Sequence, residues 1–304
     1  MNVLNDATVE FRVSNVEQPH PQRRRSLRNY LDLVRFEHTL FALPFAYAGM
    51  LIAAGGLPGW PIFVWITLAM AGARTAAMAL NRVIDARLDA ANARTAGREI
   101  PRGVLAKPDA LLLAAIGIAL LGLAGWALNP LTRNLLPVAV LALVLYSYTK
   151  RFTWLCHLWL GATIGAAAAG GWIAVTGSFA LATVALWVAV ALWIAGFDVI
   201  YGILDMEFDR SHHIHSIPAR FGLQAALAIS AAMHALAVLV LLWLAPLTDL
   251  GWLYAVSVAV VAGVLVRSHL LVHSRGAGAA LAAFNANLYV SSLILAGVAF
   301  DLFL

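Results

Sequence analysis

Asn81-Arg82-Val83-Ile84-Asp85-Ala86-Arg87-Leu88-Asp89 closes one long apolar run and opens a loop crowded with arginine. The run before it, residues 61 to 84, has the length of a membrane-spanning helix, which needs roughly 20 apolar residues to cross a hydrocarbon core of about 30 Å. On a helix Asn81, Asp85 and Asp89 stand at i, i+4 and i+8 on one face, and Arg74 falls close to the same stripe. Two bare carboxylates one turn apart repel each other unless something cationic lies between them. The stretch therefore predicts a chain built of membrane helices, with acids gathered at the mouth of one of them.

Outward from it, apolar runs recur at about 33 to 54, 109 to 128, 134 to 149, 157 to 175, 180 to 200, 222 to 245, 250 to 272 and 280 to 303, so nine spans are expected. The fold class is all-α, a polytopic membrane protein. Composition agrees: 62% of the 304 residues are hydrophobic and 12% charged, and a mean hydropathy of +0.84 lies far from soluble globular chains. The basic residues cluster in loops, so the sequence pI of about 9.7 speaks for orientation in a membrane and against nucleic-acid binding. Cys156 is the single cysteine, which excludes a disulfide framework or a thiolate metal site within the chain.

Residues 1–30 carry Arg23, Arg24, Arg25 and Arg28 without apolar periodicity and read as a mobile basic tail; residues 31–304 read as one transmembrane domain. With the tail in the cytoplasm, the inside connections hold Arg87, Arg94, Arg98, Arg102, Lys107, Lys150, Arg151, Arg210, Arg220, Arg267 and Arg275, against Arg133 alone outside. That asymmetry predicts a cytoplasmic amino terminus and an outside carboxyl terminus.

A second acidic stretch closes the sixth run. Asp198, Tyr201, Asp205 and Asp209 stand at i, i+3, i+7 and i+11 on one helical face, at the same side of the membrane as the first. Acids at helix ends are ordinarily solvated interface charges. Two such pairs on one side, with Asp198 two turns further inside an apolar helix, point instead to function, because an ionisable group at membrane depth is costly. Oxygen-only ligands suit a hard ion, and Mg2+ typically uses one or two carboxylates together with substrate phosphates. A phosphorylated substrate is the corollary. Tyr146 and Lys150, at i and i+4 beside Arg151, place a cation for a phosphate at that side, and Arg74, inside a span where it has no topological role, seeks an anionic partner. Glu37, His38, Asn285 and Asn287 are polar candidates for a second ligand. His212, His213 and His215 lack a fixed fourth ligand and read as solvated.

Asn81-x-x-x-Asp85-x-x-x-Asp89 followed by Arg94-Thr95 and Arg98, then Tyr146-x-x-x-Lys150-Arg151 and Asp198-x-x-Tyr201-x-x-x-Asp205-x-x-x-Asp209, resemble the UbiA family of membrane aromatic prenyltransferases. The resemblance runs from about Leu31 to the end. It implies about nine helices around a central cavity and Mg2+-dependent transfer of a polyprenyl chain from its diphosphate to a small aromatic acceptor. Asn81, Asp85 and Asp89 would hold one metal and Asp205 and Asp209 the other. Arg74, Tyr146 and Lys150 would face the diphosphate, Asp198 would line the cavity, and Tyr201 would belong to the same catalytic group. The expected setting is a bacterial inner membrane, with the isoprenoid entering from membrane lipid. Arg82 is a departure, since the family often shows Asn-Asp at the first motif. The stretches Phe36 to Phe45 and His215 to Gly222 resemble the 4-hydroxybenzoate polyprenyltransferase-like branch, which serves ubiquinone synthesis, or menaquinone synthesis from 1,4-dihydroxy-6-naphthoate. An ion-coupled transporter is the rival class; it would more typically set its acids at mid-bilayer on broken helices, whereas these sit at one face on patterns without interruption.

Overall fold

The computed structural model describes residues 26–34 and 42–304, and all regular structure among them is helical. Arg23 to Arg25, Glu37 and His38 lie outside the described residues. The chain runs α1 (Leu27–Val34), α2 (Leu43–Ala54), α3 (Trp60–Ile84), α4 (Ala86–Ala91), α5 (Lys107–Leu128), α6 (Pro130–Thr149), α7 (Cys156–Thr176), α8 (Leu181–Gly202), α9 (Met206–Ser211), α10 (Ile217–Thr248), α11 (Trp252–Arg275), α12 (Ala280–Ala286) and α13 (Val290–Phe303).

Eight segments among the described residues are long and apolar enough to cross a membrane: α3, α5, α6, α7, α8 continued to Ser211, α10, α11, and the run Ala277–Phe303. The remaining expected span, 33 to 54, is represented by α1 and the 12-residue α2. Helix α1 begins at Leu27, inside the stretch expected to be a tail. Its Leu33 and Val34 are buried against Ala79, Leu105 and Ala110. Arg82, the departure from the family pattern, donates from Nε to the Leu33 carbonyl at 3.3 Å and so ties α1 to α3.

The helix ends follow local chemistry. Asn129 caps α6: its Oδ1 accepts from Thr132 N at 2.9 Å while Thr132 Oγ1 accepts from Asn129 N at 3.1 Å, with Pro130 in the first turn. At the opposite end of the bundle from the acids, Asp301 of α13 accepts from the amides of Gly251, Leu253 and Tyr254 at 2.6, 3.2 and 3.0 Å and supplies the partners that the first turn of α11 lacks.

The core is held by close helix crossings, as expected where lipid offers no hydrophobic drive to association. At the α2–α7 crossing a Cβ on Gly49 would lie 2.2 Å from the Ala168 carbonyl oxygen, and one on Gly171 would lie 2.0 Å from that of Ala46. Replacing Gly171 with Ala must push two backbones apart, and we expect a loss of about 1–3 kcal/mol, the usual cost of overpacking. Gly170→Ala, with nothing within 4 Å of the added carbon, should be neutral or slightly stabilising. Thermal unfolding of the two variants in the same detergent checks the contrast.

The interior is an aromatic ladder. Phe45, Trp193, Phe197, Phe284 and Tyr201 follow one another with ring centroids 5.2, 5.1, 5.5 and 4.5 Å apart. At its deep end an apolar gap is lined by Phe45, Trp193, Leu241, Val261, Leu265 and Val290. Trp193 Nε1 donates to Asn287 Oδ1 at 3.1 Å, and Asn287, fully buried, gives its amide to Ala283 O at 2.9 Å. Asn287, a candidate ligand group by sequence, is thus committed to packing, at a 3-10 turn (Asn287–Tyr289) that divides the last apolar run.

Candidate active site

Both acidic motifs sit where a helix breaks, which corrects the expectation of uninterrupted helical faces. Helix α3 ends at Ile84, Asp85 takes φ −92° and ψ 3°, and α4 restarts at Ala86. Helix α8 ends at Gly202, a 3-10 turn covers Ile203–Asp205, Asp205 takes φ −106° and ψ 4°, and α9 restarts at Met206. The two central aspartates share one backbone conformation, in the sparsely allowed bridge region where turn and active-site residues gather. The last acid of each motif, Asp89 and Asp209, lies in the short helix that follows the break and is buried. These breaks lie at the helix ends, not at the middle of the spans where a transporter's would.

Around Asp85 the chain assembles a closed polar knot. The Asp85 carboxylate is 1% exposed and accepts from Asn81 Nδ2 at 2.8 Å, Lys150 Nζ at 2.6 Å and Arg151 Nη2 at 2.9 Å. Asn81 gives the same amide to Ser147 Oγ at 3.2 Å. Asp89 pairs through Oδ1 with Arg98 at 2.6 Å, and Thr95 Oγ1 donates to the Asp89 carbonyl at 3.0 Å.

The second motif reaches the first through the loop after α4. Arg94 forks onto Asp205, with Nε on Oδ1 at 2.8 Å and Nη2 on Oδ2, and its Nη1 donates to the Tyr201 hydroxyl at 2.7 Å. The Arg94 guanidinium also lies 4.9 Å from the Tyr201 ring centroid. Asn92 Nδ2 adds a bond to Asp205 Oδ1 at 2.8 Å. Burial is the largest single influence on Arg94 and works against its charge, but the bonds and charges of Asp205 and Tyr201 together outweigh it and raise its pKa above the ordinary value. A bidentate guanidinium–carboxylate pair is among the stronger polar contacts, so the two halves of the chain are clamped at one end of the bundle.

The following loop is tied in from its other side. Ser216 Oγ donates to Asp209 Oδ2 at 2.7 Å, and His215 N donates to the Lys150 carbonyl at 2.7 Å. The His212, His213 and His215 side chains are exposed, as expected for solvated residues.

The expected site residues therefore fall into two groups. Asp89, Tyr201 and Asp205 contact the 92–98 loop, Asn81, Asp85 and Lys150 form the knot beside it, and Asp209 is bonded to Ser216, whose neighbour His215 reaches Lys150. Tyr146 instead spends its hydroxyl on the Ala77 carbonyl at 3.0 Å, linking α6 to α3. Arg74 lies on α3 two turns before Asn81, partly buried. Asp198 faces His157. Asn92 and His157 are site-region residues that sequence reasoning left out. His157 carried a readable signal, an ionisable side chain just inside an apolar run, whereas Asn92 carried none.

The donors that the two motifs offer a divalent ion are all oxygens of hard-ion type, and Asp89 Oδ2 is buried without a hydrogen-bond partner. Among the described residues no three carboxylates or imidazoles close into a single cluster; Asp85, Asp89 and Asp205 each hold their own cations. Each motif thus offers ligands for an ion that would be completed by groups from a substrate, the habit of Mg2+ beside phosphates.

Comparison with known proteins gives the same picture. The profile of the UbiA prenyltransferase family matches residues 42–293. The 4-hydroxybenzoate octaprenyltransferase of Janthinobacterium sp. (strain Marseille) is 30% identical over 286 residues, covering 90% of this chain and 98% of that protein. A UbiA homolog from Aeropyrum pernix K1, solved in its apo form, superposes with a TM-score of 0.80 at 36% identity, over 87% of this chain and 98% of the other. A UbiA homolog from Archaeoglobus fulgidus, solved with DMAPP and Mg2+, shares the fold at a TM-score of 0.64 and 17% identity, over 88% of this chain and 99% of the other.

Proposed function

This chain belongs to the UbiA prenyltransferase family, and we propose that it transfers a polyprenyl chain from its diphosphate to a phenolic ring, with 4-hydroxybenzoate as the first acceptor to consider and 1,4-dihydroxy-6-naphthoate as the second. The observation that carries this reading is the meeting of the two acid motifs: Asp85 with Lys150 and Arg151, Asp205 with Asn92 and Arg94, all at one end of an apolar bundle. The curated relative named above supports the acceptor class.

In this reading Asn81, Asp85 and Asp89 hold one divalent ion, Mg2+ by preference, and Asp205 and Asp209 the other. When bound, such an ion supplies Lewis-acid stabilisation of the charge that grows on a departing diphosphate. Arg94, Arg98, Lys150 and Arg151 bring fixed positive charge to the same oxygens. The aromatic ladder from Tyr201 inward to Phe45 gives the allylic cation π faces and the isoprenoid an apolar bed, and it keeps water from the cation until the ring carbon ortho to a phenolic oxygen attacks it. The diphosphate leaves with the bonding pair, and the ring loses its proton. We place the motif end in the cytoplasm, by the excess of arginine and lysine in those loops.

The test is purified protein with Mg2+ and a labelled polyprenyl diphosphate, offered each acceptor in parallel and read by product mass. A carbon-prenylated ring with either is expected. Intact diphosphate with both would overturn the reading.

A further inference from the structure

Asp198 is not left to solvent by its helix. One oxygen, Oδ2, lies 2.6 Å from Nδ1 of His157 in the first turn of α7. The other His157 nitrogen, Nε2, receives the backbone N–H of Ile217, the first residue of α10, at 3.3 Å. The imidazole is buried, and a Cβ on Gly202 would sit 3.2 Å from its Cε1, so its place is fixed from three sides.

These contacts assign the tautomer. A backbone amide can only donate, so Nε2 is bare and the ring's single proton is on Nδ1, given to Asp198. Asp198 is then the acceptor. Its Oδ1 has no hydrogen-bond partner among the described residues, and its side chain is 25% exposed where that of His157 is 6%. Asp198 lies on α8 one turn before Tyr201, whose hydroxyl accepts from Arg94, so the two residues share a face of that helix on the side of the Arg94–Asp205 clamp.

We propose that His157 is a positioning residue. Through Nδ1–H it holds Asp198 turned so that Oδ1 accepts the hydroxyl of the phenolic acceptor, which orients the ring and rejects acceptors that bring only a carboxylate to that point. The proposal rests on the prenyltransferase reading above and adds a residue to it.

Two near-isosteric replacements separate positioning from simple packing. His157→Asn keeps an N–H near the Nδ1 position and loses the acceptor for Ile217. His157→Gln reaches the amide of Ile217 and loses the donor to Asp198. With purified full-length protein, His157→Gln is expected to raise KM for the acceptor about 10- to 100-fold, the worth of one hydrogen bond to a charged group, with KM for the diphosphate and the melting temperature unchanged. His157→Asn should recover most of the acceptor affinity. In an Asp198→Asn background His157→Gln should add less than about twofold, because both act on one interaction. Calorimetric titration of the acceptor into the same variants reads the split without turnover. A parallel rise of both KM values, equal impairment by Asn and Gln, or additive losses with Asp198→Asn would overturn the assignment of His157 while leaving the enzyme activity standing. A wild type that prenylates no phenol would overturn both.

Discussion

Asp85→Asn is expected to lower turnover about 10³-fold while the protein still accumulates in membranes and elutes as the wild type does. The carboxylate is buried at the break between α3 and α4 and answers three donors at once, Asn81, Lys150 and Arg151. Asparagine keeps the shape and one acceptor oxygen, so the backbone at the break has no reason to move. What goes is the negative charge that orders two cations and serves the proposed ion, and a single preorganised group of that kind is worth about 10²–10³ in rate before any loss of ion affinity is added. The stability cost is moderated because Lys150 and Arg151 keep 31% and 28% of their side-chain surface in solvent, which screens a charge left without its partner. Glu207 is the control. It is an acid of α9, between Asp205 and Asp209, whose side chain is 78% exposed and pairs with Arg210, so Glu207→Gln should leave the rate within about twofold. Initial rates of labelled product, measured beside melting temperatures, decide the matter. An Asp85→Asn enzyme above a tenth of the wild-type rate with a normal melting temperature would sink the metal role of the first motif.

The sequence carried the helices because hydropathy and length are properties of single segments. Runs expected at 61 to 84, 157 to 175 and 180 to 200 appear as α3, α7 and α8 within two residues at either end. The acids were legible for the same reason, since spacing by four survives a local break. That survival also hid the break: a bridge-region residue at Asp85 or Asp205 leaves the i, i+4 arithmetic intact, and only the dihedral angles reveal it. Long-range pairing was the illegible part. Arg94 and Asp205 are separated by 111 positions, and nothing in either segment names the other. Arg82 could be read as a departure but not as a brace on Leu33, because that role exists only once α1 is folded against α3.

Chelation of divalent cations is expected to take the rate to background, and Mg2+ is expected to restore it while potassium or spermidine at equal ionic strength does not. The reason is a charge balance internal to the site. Asp85, Asp89 and Asp205 are already matched with Lys150, Arg151, Arg98 and Arg94. Three carboxylates against four cations leave a single net positive charge, which the buried Asp209, if ionised, would cancel. A diphosphate brings several negative charges into a cleft of lowered dielectric, where uncompensated charge is far more costly than in water. The chain's own cations cannot meet that demand, because each is already paired with an acid of the site. Ions held by the oxygens of Asn81, Asp85, Asp89, Asp205 and Asp209 would add positive charge without withdrawing any from the arginines and lysine, and Asp89 Oδ2, buried with no donor, has a lone pair to give. Two measurements bear on this. Rates in excess EDTA, with and without added Mg2+, should differ by more than about 10³-fold. Inorganic pyrophosphate should bind the protein by calorimetry only when the divalent ion is present. Turnover that persists in excess chelator, or pyrophosphate bound equally well without the ion, would mean that the arginine clamp alone suffices and that the paired acids serve the fold and not the chemistry.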